Sequence, residues 1–319
     1  MIIPFCNGSV LVLQDYSNRV NYYPHQTTVS AGIYFLLFWV ALVPQSFLLI
    51  TCVKRHLIHF SCFKLMLIIC VLDICNLVNC ALTRSVLSLF DVHHCNSGMW
   101  VAYYGHMVLF FWWAYCAANV ILAINRLIEF LSKSWSNFFF QGYRTWLWVN
   151  LILLYPTALE ALCPERFYFF DPFEGHWHFQ FLDEEGRESL NYVLLYNNVT
   201  KICIILISYS TLMLLLRKEL RLTGARHNDL QVKLSIQACI LAAACVLGGM
   251  TPIVMAYYPV RNFPFNSFLS NIMWISQHAA SGFVYALINS QVKMTIRECR
   301  EKVSVKKKVS TVAVTVIPN

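Results

Sequence analysis

Seven long apolar runs, parted by short polar stretches, set the pattern of this chain. They lie at about 30–53, 63–83, 99–125, 145–163, 191–216, 234–258 and 267–290. Each reaches the ~17–25 residues that a membrane-crossing helix needs. Pro44, Pro156 and Pro252 interrupt three of the runs, which membrane helices tolerate because neighbouring groups satisfy the freed carbonyls. The pattern predicts an all-α membrane protein, a seven-transmembrane helix bundle over 30–290. An N-terminal tail at 1–29 precedes it and a basic tail at 291–319 follows.

Composition agrees. The chain is 58% hydrophobic and 13% charged, against about 25% charged for soluble domains. At ~20 residues per helix, seven helices and their loops leave no room for a second large domain. No period of about 20–50 residues points to a soluble repeat array. Residues 1–29 lack the basic start and apolar core of a signal peptide and read as a retained tail.

Charge sets the expected orientation, because Lys and Arg collect in cytoplasmic loops. With the N-terminus outside, the inner segments hold Lys54, Arg55, Lys64, Arg126, Lys133, Arg144, Arg217, Lys218, Arg221, Arg226, Lys233 and seven more after residue 290. The outer segments hold Arg19, Arg84, Arg166, Arg187 and Arg261. The excess predicts N-terminus outside and C-terminus inside. A glycosylation sequon at Asn7-Gly8-Ser9 fits that orientation; a second, Asn198-Val199-Thr200, falls within the fifth run and reads as chance. The outer loop 164–190 is acidic, whereas the tail with Lys306-Lys307-Lys308 suits an anionic inner leaflet.

Of thirteen cysteines, Cys6, Cys95 and Cys163 fall outside, where disulfides persist. Cys95 precedes the third run and Cys163 follows the fourth, so a Cys95–Cys163 bridge is expected, with Cys6 the rival partner for either.

No HExxH, phosphate-binding Gly-rich loop or GxSxG marks an enzyme. His56-x-x-His59, His93-His94-Cys95 and His176-x-His178 lack the second close-spaced pair of a zinc site. No cofactor, metal or nucleic-acid partner is expected.

Two charges lie inside apolar runs, Asp73 and Lys201. A mid-membrane charge costs roughly 2.5–3.5 kcal/mol even on the gentler insertion scale, so each should face the bundle interior. Asp73 with Asn76 and Asn79 reads as a polar node on one side of its helix. Lys201 reads as a ligand group for an anion or carbonyl, or as a residue snorkelling to one interface. Tyr103, Tyr104, His106, Tyr196, Asn197, Tyr257, Trp274, Gln277 and His278 gather in the outer halves of the third, fifth, sixth and seventh runs. Some belong to the interfacial aromatic belt. An apolar pocket with a few placed polar groups is what a small-molecule site looks like. The pocket candidates are Tyr104, Val108, Trp112, Tyr196, Asn197, Lys201, Trp274 and His278. Arg126 ends the third run, within an i,i+3 ion-pair spacing of Glu129.

These residues resemble those of a G-protein-coupled receptor. Asn125-Arg126-Leu127 stands where that family has Asp/Glu-Arg-Tyr, with Asn125 in the acid's place. Asp73 in "LIICVLDI" is similar to the helix-2 aspartate. In "SGFVYALINSQVK", Gly282 stands where proline is usual and Tyr285 is kept. Pro252 resembles the helix-6 proline, with Met250 in place of the tryptophan before it. The departures look like a nematode serpentine chemoreceptor, most like serpentine receptor class T. "CFKLMLIICVLDICN" at 62–76, the Cys95–Gly105–Trp113 spacing before "ILAINR", "YNN" at 196–198 and "FVYALINSQVK" after His278 carry the resemblance across about 54–297.

The resemblance implies a fold of G-protein-coupled receptor type and a chemosensory receptor at the plasma membrane, in sensory cilia. A small-molecule or peptide-like cue would bind the outer bundle and a heterotrimeric G protein the inner face. The coupling or switch residues would be Asn125, Arg126, Glu129, Tyr285 and Asn289, with Gly248, Gly249 and Pro252 as a flexible point. A transporter or ligand-gated channel is the alternative reading. The internal symmetry and paired broken helices of transporters are not evident. The charge bias also opposes the inside N-terminus of insect-type receptor channels. A retinal pigment would need a lysine in the seventh run, and none occurs before Lys293.

Overall fold

The computed structural model describes residues 6–7, 10–11, 24–54, 61–162, 167–172, 175–179, 181–182, 188–189, 191–223, 236–237, 239–250 and 266–315. Five helices among them are long and apolar enough to cross a membrane. They belong to α1 (Pro24–Lys54), α2 (Ser61–Leu89), α3 (Trp100–Leu131), α4 (Arg144–Leu162) and α5 (Tyr192–Thr223). A shorter apolar helix, α6 (Cys239–Met250), falls in the sixth run. In the seventh lies α7 (Asn266–Ile288), whose apolar pattern is broken by Asn271, Gln277, His278 and Ser281. All four of those side chains are buried, so α7 turns these polar residues to the interior. Pro252 and Tyr257 lie outside the described residues.

The burial pattern is that of a bundle in lipid. α4 exposes Trp146, Leu147, Leu151, Leu153 and Leu154, and α1 exposes Val29, Leu36, Trp39, Val40 and Val43. Asp73, Asn76, Asn125 and Lys201 are buried. Apolar side chains therefore face outward, where lipid replaces water as the solvent, and polar ones turn inward, where they find partners.

Three helices overrun their predicted C-terminal ends, α5 by running on from 216 to Thr223. α2 continues past residue 83 through a π-helical segment, Val78–Thr83, to Leu89. Arg84, expected in an outer loop, is therefore a helical residue with 0% exposure. α3 continues past residue 125 to Leu131, so Arg126 sits more than a turn before the helix end. The polar tail also begins as a helix, α8 (Ser290–Thr315). Asn289 Oδ1 accepts the backbone N–H groups of Gln291 at 2.9 Å and Val292 at 3.3 Å. That is an N-cap, and Lys54 of α1 pairs with Glu298 of α8 beside it.

At the opposite end, termed outer below, lies a hairpin of β3 (Phe169–Asp171) and β4 (His176–His178), antiparallel with Phe170 opposite Trp177. Tyr168, Phe169, Phe170 and Trp177 are buried. A Cβ on Gly105 would stand 2.8 Å from Tyr168 Cβ, so the bare glycine lets the hairpin seat on α3. A second hairpin, β1 (Cys6–Asn7) with β2 (Val10–Leu11), is joined to the bundle by a disulfide from Cys6 to Cys95. This corrects the expected Cys95–Cys163 bridge. Cys95 lies in the one-turn helix His94–Ser97 just before α3, within reach of the N-terminal hairpin, and a bonded thiol has no second partner. Cys163 lies outside the described residues.

Candidate functional site

The centre of the bundle is a polar network spanning α1, α2 and α7. His278 Nδ1 lies 2.9 Å from Asp73 Oδ1, and Ser281 Oγ donates to Asp73 Oδ2 at 2.5 Å. Gln45 Nε2 donates to Ser281 Oγ at 2.6 Å and to the His278 carbonyl at 2.7 Å. The Trp274 indole N–H donates to His278 Nε2 at 2.9 Å. An indole N–H can only donate, so Nε2 is an acceptor and a neutral His278 carries its proton on Nδ1. That proton points at Asp73, whose other carboxylate oxygen accepts from Ser281.

Two glycines allow this packing. A Cβ on Gly282 would stand 2.9 Å from the backbone nitrogen of Gln45. The proline usual at that position could not approach α1 so closely, which gives a physical reason for the departure. A Cβ on Gly248 of α6 would collide with Gln277 of α7. The expected hinge glycine is thus also a packing glycine, as small residues between membrane helices often are.

The pocket candidates divide. Trp112 is buried, donates Nε1–H to Asn198 Oδ1 at 3.0 Å, and meets Trp274 edge to face at 5.6 Å. Val108 is buried beside Trp177 and Phe170. Tyr104 stacks on Trp177 and donates its hydroxyl to Asn79 Oδ1 at 2.7 Å. Lys201 is only 2% exposed, its Nζ 4.4 Å from the Trp112 ring centre. It is inside the bundle and does not snorkel. Gly249 leaves room for it, since a Cβ there would lie 3.2 Å from Nζ.

Two candidates do not join this group. Tyr196 is 67% exposed on the outer surface of α5. Asn197 turns toward α4, accepting from the Tyr155 hydroxyl at 2.8 Å. The residue that reaches the pocket from this stretch is Asn198, part of the sequon read as chance. Among the other outer candidates, Tyr103 is exposed in the manner of an interfacial belt residue, and His106 Nδ1 lies 3.1 Å from Glu160 on α4.

Arg84 is the residue that reading by loops missed. Its Cζ stands 4.6 Å over the Trp274 ring. None of its three side-chain nitrogens has a hydrogen-bond partner among the described residues. The continuing apolar residues after it, "SVLSLF", were the available signal. Above it, Asn271 Nδ2 donates to the Tyr34 hydroxyl at 3.1 Å and to the Gly175 carbonyl at 2.9 Å, tying the β3–β4 tip to α7. Burial first, then the charges of Arg84 and His178, holds His176 well below the usual histidine range.

The node on α2 is only partly shared. Asn76 donates to the Leu72 carbonyl and, at 3.2 Å, to the Phe111 carbonyl of α3, while Asp73 turns to α7. Below this network lies a cavity of about 30 Å³, lined by Tyr115, Gln277, Ser281, Tyr209, Tyr285 and Arg126 among others. It has room for a water or two. Arg126 Nη1 stands 3.5 Å from Glu129 Oε2, whose side chain is 46% exposed. Asn125 is buried, with no side-chain partner among the described residues.

This is the bundle of a seven-transmembrane receptor, and squid rhodopsin has the same fold: the two superpose with a TM-score of 0.71 at 11% identity, over 94% of this chain and 92% of that one. A model of the serpentine type 7TM GPCR chemoreceptor Srt family matches residues 9–309. The chain belongs to that family and is a multi-pass membrane receptor of a non-enzymatic kind. No curated protein matches it in sequence.

Proposed function

We propose that the protein is a chemosensory receptor of the plasma membrane. It binds a small-molecule cue in the outer half of the bundle and activates a heterotrimeric G protein at the inner face. The observation that carries this reading is the continuity from Trp274 through His278 and Asp73 to Ser281, and from the cavity below Ser281 to Tyr285 and Arg126. A ligand can shift such a bundle only by binding one of its states better than the other. Displacement of Trp274 removes the proton donor from His278 Nε2 and frees the His278–Asp73 contact between α7 and α2. Rearrangement of α6 and α7 around the cavity then releases Arg126 toward the G protein. Glu129 is a weak restraint, being exposed and at the limit of contact, so the Arg126 cavity itself supplies most of the resting restraint.

Asn289 acts here as the cap that fixes α8 beneath α7. The N-terminus lies outside. The Cys6–Cys95 disulfide supports this, because such bonds persist in oxidising compartments, as does the basic bias of the opposite segments. Glycosylation of Asn7 and protection of the C-terminus from external protease check the orientation. The function is tested by a ligand screen in cells that report G-protein activation, with surface expression measured in parallel. A cue that raises the signal supports the reading. Ion flux evoked by a cue in cells stripped of G proteins would favour a channel instead.

A further inference from the structure

Two cations lie buried in the outer bundle with no ion-pair partner among the described residues. Arg84 on α2 and Lys201 on α5 are 0% and 2% exposed. No side-chain nitrogen of either has a hydrogen-bond partner among the described residues. Asp73, the acid of the neighbouring network, already accepts from His278 and Ser281. What holds each cation is an indole face: Arg84 stands over Trp274 and Lys201 over Trp112, at 4.6 and 4.4 Å from the ring centres. The two indoles themselves meet edge to face at 5.6 Å. The order is cation, indole, indole, cation.

A cation–π contact offsets only part of what a buried charge loses on leaving water. Buried charges are otherwise paired or neutralised, and intramembrane ones mark binding pathways by default. A planar guanidinium presents a fork of N–H donors that matches a carboxylate in two-point fashion. The ammonium of Lys201 offers three further donors without fixed geometry. The walls between them are aromatic and apolar, with Val108, Phe170 and Trp177 beside the indole pair.

We infer that the ligand is a small organic acid with an apolar body, its carboxylate held by Arg84 and a second acceptor oxygen by Lys201. The inference rests on the receptor reading above for the place of the ligand site, and names the chemical class that site takes. Binding at Arg84 draws on the cation that rests on Trp274. Trp274 is the residue whose N–H fixes His278, so the acid reaches the central network through one side chain.

The test uses the purified full-length receptor in nanodiscs and follows its thermal unfolding. The probes are hexanoate, benzoate and adipate, each against its matched amide. We expect at least one acid to raise the Tm of the wild type while its amide does not. Arg84→Met should weaken that acid about ten- to a hundred-fold, the loss of a charge-assisted contact. Lys201→Met should weaken adipate more than hexanoate. Without ligand, Arg84→Met should melt at or above the wild type, because it removes a buried charge that has no partner. An amide as effective as its acid, an acid effect that survives Arg84→Met, or no shift with any of the three acids overturns the inference. So does a ligand-free Tm that falls in Arg84→Met with the acid response kept in Arg84→Lys and Arg84→Met alike. The readout needs no G protein. A neutral cue that activates the wild type and Arg84→Met equally overturns the acid and leaves the receptor reading. An acid that binds through Arg84 without nucleotide exchange on any G protein does the reverse.

Discussion

His278 on α7 stands 2.9 Å from Asp73 on α2, and both side chains are shut off from solvent. The pair joins two helices that the chain separates by 205 residues, and it lies directly beneath the indole pair of the outer site. Replacing one partner of a buried hydrogen bond of this kind leaves the other under-satisfied, at a cost of about 1–3 kcal/mol. His278→Leu should therefore lower the thermal stability of the solubilised receptor by that order. Adding Asp73→Leu to it should recover part of the loss, because contacting residues are not additive. Equal and additive losses for the two changes would show that the pair does not couple.

The Cys6–Cys95 disulfide closes a loop across 89 positions. A cross-link over a loop of about 100 residues stabilises by roughly 4.7 kcal/mol in the chain-entropy account. Cys6→Ser and Cys95→Ser should each reduce surface expression to the same extent, with no further loss in the double variant. Cys163→Ser should be mild. Non-reduced peptide mapping that finds Cys95 joined to Cys163 would contradict the pairing.

Gly282 faces the backbone of α1, with a Cβ only 2.9 Å from the Gln45 nitrogen. Backbone cannot give way as a flexible side chain can, so Gly282→Ala should cost about 1–3 kcal/mol, the usual range for overpacking. Gly32, which has open space around it, is the control. A Gly32→Ala variant that loses as much stability as Gly282→Ala would refute the close-approach argument.

His176 lies in the outer hairpin and is held well below the usual histidine range, by burial first and then by Arg84 and His178. A depressed histidine means that the unfolded chain binds the proton and the folded one does not. Stability then rises with pH through this region. It is fully present above the unfolded value near 6.5, and falls as the pH drops below it. Acidification from pH 7.5 to 5.5 should lower the Tm of the wild type, and His176→Gln should flatten the slope. An unchanged slope in the variant would assign the pH response to other groups.

The bundle was legible because lipid imposes its length on each apolar run, and Asp73 and Lys201 were legible because charges inside such runs have to be accounted for. His278 and Trp274 stood out for a similar reason. Arg84 was hidden by an end effect: its charge reads as the end of the run, and only the apolar residues after it hint that the helix passes on through the π turn. Tyr196, Asn197 and Asn198 form the opposite difficulty. Successive residues on a helix point about 100° apart, so the three cannot share one face. With apolar residues on both sides, nothing in the sequence says which turns inward. The sequence favoured Cys163 for Cys95, because it shows the cysteines that flank the third and fourth runs but not the N-terminal hairpin that carries Cys6 to the turn before α3.

In the proposed mechanism ligand binding outside is read out through Arg126 inside, and a paired measurement tests it. Agonist binding and nucleotide exchange on a heterotrimeric G protein are followed on the same preparations of wild type and Arg126→Ala, at matched surface expression. Arg126→Ala should keep agonist binding within a few fold and lose most of the exchange, while Glu129→Gln, breaking a contact worth about 0.2–0.5 kcal/mol, should change basal exchange only slightly. Full exchange in Arg126→Ala would rule this coupling out and reduce the arginine to an anchor at the membrane surface.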